Sequence, residues 1–149
     1  MDVLKRIGSA AVIPVVVLDS AEDAVPTARA LLAGGIDVME ITFRTAAGRD
    51  AIAAVASECP EMLVGAGTVL NCAQGREAVG AGAKFIVSPG LSRELIDDCA
   101  AQGIPALPGC ITPSEIMDAL DAGLKIVKFF PANVYGGLDA MKALASAFV

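Results

Sequence analysis

Lys128 lies in the run Gly123-Leu124-Lys125-Ile126-Val127-Lys128-Phe129-Phe130-Pro131-Ala132, which reads as a buried strand. An ammonium group is rarely fully buried without a partner. Among apolar residues its charged form is disfavoured, which shifts it toward the neutral amine. A neutral amine is a nucleophile that condenses with a carbonyl to give a Schiff base. The competing reading is that Lys128 snorkels its amine to solvent from the strand end. Glu40, between Met39 and Ile41, is the second unusual residue. A carboxylate on a strand fit for burial needs a partner, a proton or a chemical role. It reads either as a buried ion pair with Arg44, or as a general acid/base whose pKa is raised by its setting. Together the two suit carbonyl chemistry: the lysine forms the iminium, and the carboxylate moves protons at the adjacent carbon and at the carbinolamine.

Arg44 follows the same strand, where a guanidinium can grip a carboxylate in bidentate fashion or stay a solvated loop cation. Gly65-Ala66-Gly67-Thr68 is a weak match to a dinucleotide fingerprint, because Leu70 stands where a third glycine is wanted. Its simpler use is close backbone approach to a small ligand, with the Thr68 hydroxyl as a second donor to a carboxylate. Pro89 and Phe130 read as pocket walls. Pro108-Gly109 and Thr112-Pro113-Ser114 read as turn chemistry.

What is missing narrows the chemistry. The chain has no histidine, which removes Ser-His and Cys-His nucleophile pairs in their usual form and histidine-ligated zinc. Acid–base work falls to Glu, Asp, Lys, Tyr or Cys. A metal site built from carboxylates stays conceivable, yet none is expected, nor any cofactor. Cys59, Cys72, Cys99 and Cys110 form no Cys-x-x-Cys pair and read as scattered core or helix positions. The net charge of -6 argues against nucleic acid as a partner. No apolar stretch approaches the roughly 20 residues of a membrane span. Lys5 and Arg6 ahead of Ala10–Leu18 imitate a secretory signal, but Asp19, Glu22 and Asp23 stand where a cleavage site belongs. The expectation is a cytoplasmic protein.

The elements that must position these residues alternate. Strands are expected at Ala11–Leu18, Ile36–Phe43, Met62–Val69, Lys84–Ser88, Ile104–Leu107 and Leu124–Phe130, with amphipathic helices at Ala21–Ala33, Arg49–Ser57 and Arg93–Ala101 among those between. Leu138–Val149 reads as the sixth helix. Ser20, Asn71, Ser92 and Thr112 are N-cap candidates. Gly34-Gly35, Gly82, Gly103 and Gly123 close helices. In strand two, Val38, Glu40 and Thr42 share a face; in strand six, Ile126, Lys128 and Phe130 do; in strand three, Val64, Ala66 and Thr68 align. A face carrying Glu40, Thr68 and Lys128 from three strands points to the interior of a parallel barrel near its C-terminal mouth, and not to an open doubly wound sheet. The fold class is therefore α/β, a (β/α)8 TIM barrel of which residues 1–149, one domain, carry about six βα units. Six units where eight close a barrel mean either a six-stranded arrangement or, as the favoured expectation, a chain truncated at its C-terminus.

Two motifs, Gly35-Ile36-Asp37-Val38-Met39-Glu40-Ile41-Thr42-Phe43-Arg44 and Gly123 through Ala132 continuing to Gly136, resemble the 2-keto-3-deoxy-6-phosphogluconate/4-hydroxy-2-oxoglutarate aldolase family. Val64 through Asn71 and Phe85-Ile86-Val87-Ser88-Pro89-Gly90 add to the resemblance. It implies a class I lyase that cleaves 2-keto-3-deoxy-6-phosphogluconate to pyruvate and glyceraldehyde 3-phosphate, closing the Entner–Doudoroff pathway, or 4-hydroxy-2-oxoglutarate to pyruvate and glyoxylate. It further implies Lys128 as the Schiff-base lysine, Glu40 as the acid/base, Arg44 and Thr68 as holders of the pyruvate carboxylate, and Pro89 and Phe130 as pocket lining. The implied assembly is a metal-free homotrimer. The family's glycine-rich phosphate loops, in two further βα units, are not in this sequence. An inactive barrel fragment or a small-molecule-binding α/β domain is the alternative.

Overall fold

The computed structural model describes residues 2–148. Five parallel strands lie side by side in chain order: β1 (Val15–Val16), β2 (Val38–Thr42), β3 (Leu63–Gly67), β4 (Ile86–Ser88) and β5 (Ala106–Pro108). Helices α1 (Val3–Ser9), α2 (Ala24–Ala33), α3 (Gly48–Glu58), α4 (Cys72–Gly80), α5 (Arg93–Ala101), α6 (Pro113–Asp121) and α7 (Gly137–Ala145) flank and connect them. A short 3₁₀ turn at Ala21–Asp23 leads into α2. This is the architecture of a (β/α) barrel wall, a parallel sheet with a helix after each strand.

The expected caps are in place. Asn71, Ser92 and Thr112 accept the amides of Gln74, Leu95 and Glu115, and Ser20 caps the 3₁₀ turn. Gly35, Gly82, Gly103 and Gly123 lie in the left-handed region just past helix ends, where a side chain is strained.

Strand register divides the side chains between two cores. In parallel pairs, partners in register share a face, and Val38, Glu40 and Thr42 partner Leu63, Gly65 and Gly67. One face holds Val38, Leu63, Phe85, Val87 and Leu107, packed with Ile7 and Ile126. The other presents Met39, Ile41, Val64, Ala66 and Ile86 to Ala28, Ile52, Val55, Ala78, Leu95 and Cys99 of the helices. The first is the interior of the barrel wall; the second is the strand–helix layer.

Helix α1 was not anticipated. Asp2 accepts from the amides of Leu4 and Lys5 and starts the helix. Ile7 then packs beneath the interior face. Arg6 anchors the helix to the strand N-terminal ends, donating to Asp37 Oδ2 (2.9 Å) and to the carbonyls of Asp37 and Glu61. The capping aspartate and the Val3, Leu4, Ile7 spacing carried the signal; the basic pair before an apolar run obscured it.

Three other expectations are corrected. The first strand spans Val15–Val16 and not Ala11–Leu18. The sixth, Leu124–Phe130, forms no strand and joins the sheet through one bridge, Gly109 to Lys128. Its alternation holds, with Ile126 inside and Val127 and Phe129 outside. Val64 and Ala66 do not share the interior face with Thr68; they face the helices.

Gly65 is required by packing. A Cβ built there would fall inside the Phe85 ring, which lies over the glycine. Gly65→Ala should lower stability by ~1–3 kcal/mol, the usual cost of overpacking a filled interior. Urea unfolding measures it, and adding Phe85→Leu should recover part of the loss, since contacting sites couple. Unchanged stability in the single variant would show that the ring moves aside freely.

Candidate active site at the strand C-terminal ends

Lys128 is fixed by its backbone. Its amide donates to the Pro108 carbonyl (2.8 Å) and its carbonyl accepts from Cys110 (2.8 Å). This clamps the residue to the end of β5 and turns its side chain to the interior. There Nζ stands 3.3 Å from both Oε1 and Oε2 of Glu40. The lysine side chain is one quarter exposed and the glutamate side chain 5% exposed. The Phe130 ring lies against the same amine, 5.2 Å from its centroid, a cation–π approach. The ion pair of Glu40 with Arg44 is not formed among the described residues; the partner of Glu40 is Lys128.

The carboxylate of Glu40 rises along the interior. The register partner of Glu40 is Gly65, yet the carboxylate sits over Gly67, where a Cβ would overlap Oε1, Cδ and Cγ. The two glycines thus make room for Phe85 and Glu40, two interior side chains of the protein itself. This packing is a reason for glycine at both positions that is independent of the expected backbone approach to a small ligand.

Thr68 reaches the mouth by an unusual route. Its φ of +56° is the one positive value at a non-glycine residue among the described residues. A β-branched residue there is strained, by roughly 1–3 kcal/mol. The left-handed turn breaks the alternation of β3 and re-aims the threonine, so that Arg44 Nε donates to its hydroxyl at 3.2 Å. A guanidinium and a hydroxyl are thereby joined beyond the end of β2, above the Glu40–Lys128 pair. Pro89 is placed beside them and not among them. Its side chain lines a neighbouring cleft of about 200 Å³ with Val69, Leu70, Ser88 and Leu95. Its carbonyl packs against Gly109, the bridge partner of Lys128.

A larger cavity of about 290 Å³ lies on the outer side of the 124–130 segment, between α6 and α7. Ile116, Leu120, Val127, Met141, Leu144 and Phe148 line it, with few polar groups, so it offers no chemistry. Burial pushes the Cys110 thiol up to about 11 and the Cys99 thiol likewise to about 11. Both stay protonated at neutral pH and are poor nucleophiles. Among the described residues no three Cys, Asp or Glu side chains gather as a metal ion requires. No described helix is long and apolar enough to cross a membrane.

The site therefore offers an amine beside a carboxylate in a half-closed apolar interior, with a guanidinium–hydroxyl pair beyond the ends of the same strands. Thr42, to which the sequence pattern alone assigns no chemical role, joins it. Thr42 is 1% exposed on the face of Glu40, and its hydroxyl has no hydrogen-bond partner among the described residues.

Comparison with known proteins follows the same lines. The family model described as "KDPG and KHG aldolase" matches residues 3–149. A 2-dehydro-3-deoxy-phosphogluconate aldolase of Treponema pallidum is 50% identical over 92% of this chain and 65% of its own. A KHG/KDPG aldolase of Escherichia coli is 50% identical over 92% of this chain and 64% of its own. The chain thus spans just under two thirds of the length of these curated relatives. Among solved structures, the KDPG aldolase of Legionella pneumophila, with pyruvate captured as a covalent carbinolamine, superposes with a TM-score of 0.94 at 40% identity, over 99% of this chain and 72% of that one. The aldolase of Zymomonas mobilis with 3-phosphoglycerate gives 0.93 at 44% identity, over 99% and 70%.

Proposed function

The chain belongs to the KDPG and KHG aldolase family, and from that premise we propose that it carries the keto-acid half of a class I aldolase site. The reaction is cleavage of 2-keto-3-deoxy-6-phosphogluconate to pyruvate and glyceraldehyde 3-phosphate, or of 4-hydroxy-2-oxoglutarate to pyruvate and glyoxylate. The observation that carries this reading is the 3.3 Å approach of Lys128 Nζ to both carboxylate oxygens of Glu40 in a half-closed interior. An amine that must lose a proton and a carboxylate able to take it are already in contact.

The Lys128 nitrogen adds to C2 of the keto acid, and the carbonyl electron pair moves to oxygen, which takes a proton to give a carbinolamine. Loss of water leaves an iminium. The C4 hydroxyl gives its proton to Glu40 as the C3–C4 bond breaks. The bonding pair becomes the C2=C3 bond of an enamine, and the iminium π pair moves to nitrogen. The aldehyde leaves; C3 takes a proton back from Glu40; water releases pyruvate and the free amine. Arg44 and Thr68 hold the C1 carboxylate by charge-assisted hydrogen bonds, and Phe130 bounds the apolar side, with Pro89 lining the cleft beside it. The same reading places residues 1–149 in one barrel-type domain, working without a cofactor on a small keto acid, as a cytoplasmic homotrimer. The family resemblance supports these last features.

The direct test is borohydride reduction in the presence of pyruvate, followed by peptide mapping. A reduced adduct on Lys128 is expected. An adduct on Lys84, Lys125 or Lys142 with Lys128 unmodified would overturn the assignment. Arg44→Ala should behave differently from changes at the amine. It removes the charged anchor for the keto-acid carboxylate, worth about 1.5–3 kcal/mol for a hydrogen bond to a charged group. The pyruvate concentration needed for half-maximal trapping should rise by roughly 10- to 100-fold, with the plateau kept. An unchanged concentration dependence would return Arg44 to the role of a loop cation.

A further inference from the structure

Thr42 is buried, polar and unsatisfied, which is a cost without a structural return. Its side chain is 1% exposed, and its hydroxyl oxygen has no partner among the described residues. An unmade hydrogen bond of this kind destabilises the folded state. Valine has the same shape and would remove it.

The position of the hydroxyl points to its use. Thr42 follows Glu40 by two residues on β2, so both project to the interior. Its register partner is Gly67. The Glu40 carboxylate occupies the side-chain volume of that same Gly67. The carboxylate, although borne by β2, therefore lies over β3 at the level of Thr42, and neighbouring strands are spaced ~4.8 Å apart. In the resting protein both carboxylate oxygens face Lys128 Nζ. When that nitrogen is bonded to a keto acid, it no longer offers the donors of a free ammonium. Glu40 is then short of a partner at the moment it must face C3 of the bound carbon chain.

We propose that the Thr42 hydroxyl is a positioning group for Glu40, donating to one carboxylate oxygen when Lys128 is covalently engaged and aiming the other at the C3 proton. In that step the C3–H bond breaks, its electron pair becomes the C2=C3 bond, the iminium π pair moves to nitrogen, and Glu40 receives the proton. Thr42 exchanges no proton with the substrate. This rests on the aldolase reading above and deepens it.

The experiment compares the full chain with Thr42→Val and Thr42→Ser by three measurements. These are borohydride trapping with pyruvate, exchange of the pyruvate methyl protons in deuterated water followed by proton NMR, and thermal melting. Thr42→Val should keep adduct formation and melt at or above the parent temperature, because an orphaned hydroxyl is gone. Its methyl exchange should fall by about ten- to a hundredfold, the scale of a misaimed catalytic group. Thr42→Ser should restore most of that rate. Exchange at the parent rate in Thr42→Val overturns the proposal while leaving the Lys128 assignment intact. So does a loss of trapping, exchange and stability together, which would make Thr42 structural. Absence of an adduct in the unchanged chain overturns the aldolase reading and the proposal with it.

Discussion

Lys128→Ala is expected to abolish the borohydride-trapped pyruvate adduct and to lower aldol cleavage by several orders of magnitude, because the covalent route is lost with the amine. Release of pyruvate from 2-keto-3-deoxy-6-phosphogluconate, monitored continuously, measures the second effect. The variant also leaves Glu40 buried without its cation, which on its own can destabilise by as much as ~3–5 kcal/mol. Melting must therefore be recorded alongside. A folded variant with no adduct isolates the chemistry from the stability. Retained turnover in a folded Lys128→Ala chain would show that the amine is only the counter-ion of Glu40.

Glu40→Gln should reduce turnover by ~10²–10⁴, the usual contribution of a placed acid/base group. The amide has the shape of the carboxylate, so it fits the slot that Gly67 provides. It still offers Lys128 one oxygen acceptor. Affinity for pyruvate should change little, because Arg44 and Thr68 are untouched. The expected pattern is a depressed kcat with KM held, together with slowed methyl-proton exchange. A variant that melts earlier but turns over at the parent rate would make the Glu40–Lys128 contact a structural salt bridge.

Much of this arrangement is legible in the residues because the interior of a barrel strand is so intolerant of charge. Glu40 and Lys128 stand out on segments that are otherwise apolar, and strict alternation puts them on one face with Val38 and Ile126. Capping side chains and left-handed glycines punctuate the helices, which is why α5 is found with the bounds expected and α3 within a residue of them. What the pattern does not carry is tertiary. The 124–130 segment has strand character, but pairing depends on its neighbour, and one bridge to Gly109 is all that forms. Helix α1 owes its place to Ile7 and Arg6 meeting the strand ends, contacts between residues distant in sequence. Thr68 is the sharpest case. Alternation puts it on the face of Ala66, which looks outward to the helices. A φ of +56° in a threonine runs against local preference. Only the assembled mouth, with Arg44 waiting for the hydroxyl, accounts for it.

The slot over Gly67 has a consequence for how such sequences change over generations. Any side chain at position 67 would compete for the volume that the Glu40 carboxylate fills. The dependence runs in one direction. A glutamate at 40 demands glycine at 67, whereas glycine at 67 does not itself demand glutamate at 40. A lineage can therefore lose the glutamate in a single mutation, but once a larger residue has drifted into 67, the acid cannot return until the glycine does. The bulky ring at 85 holds Gly65 in the same way. Gly65-Ala66-Gly67 is thus a ratchet on inheritance: two vacancies whose tenants are encoded elsewhere in the chain, and whose loss makes the loss of chemistry hard to reverse.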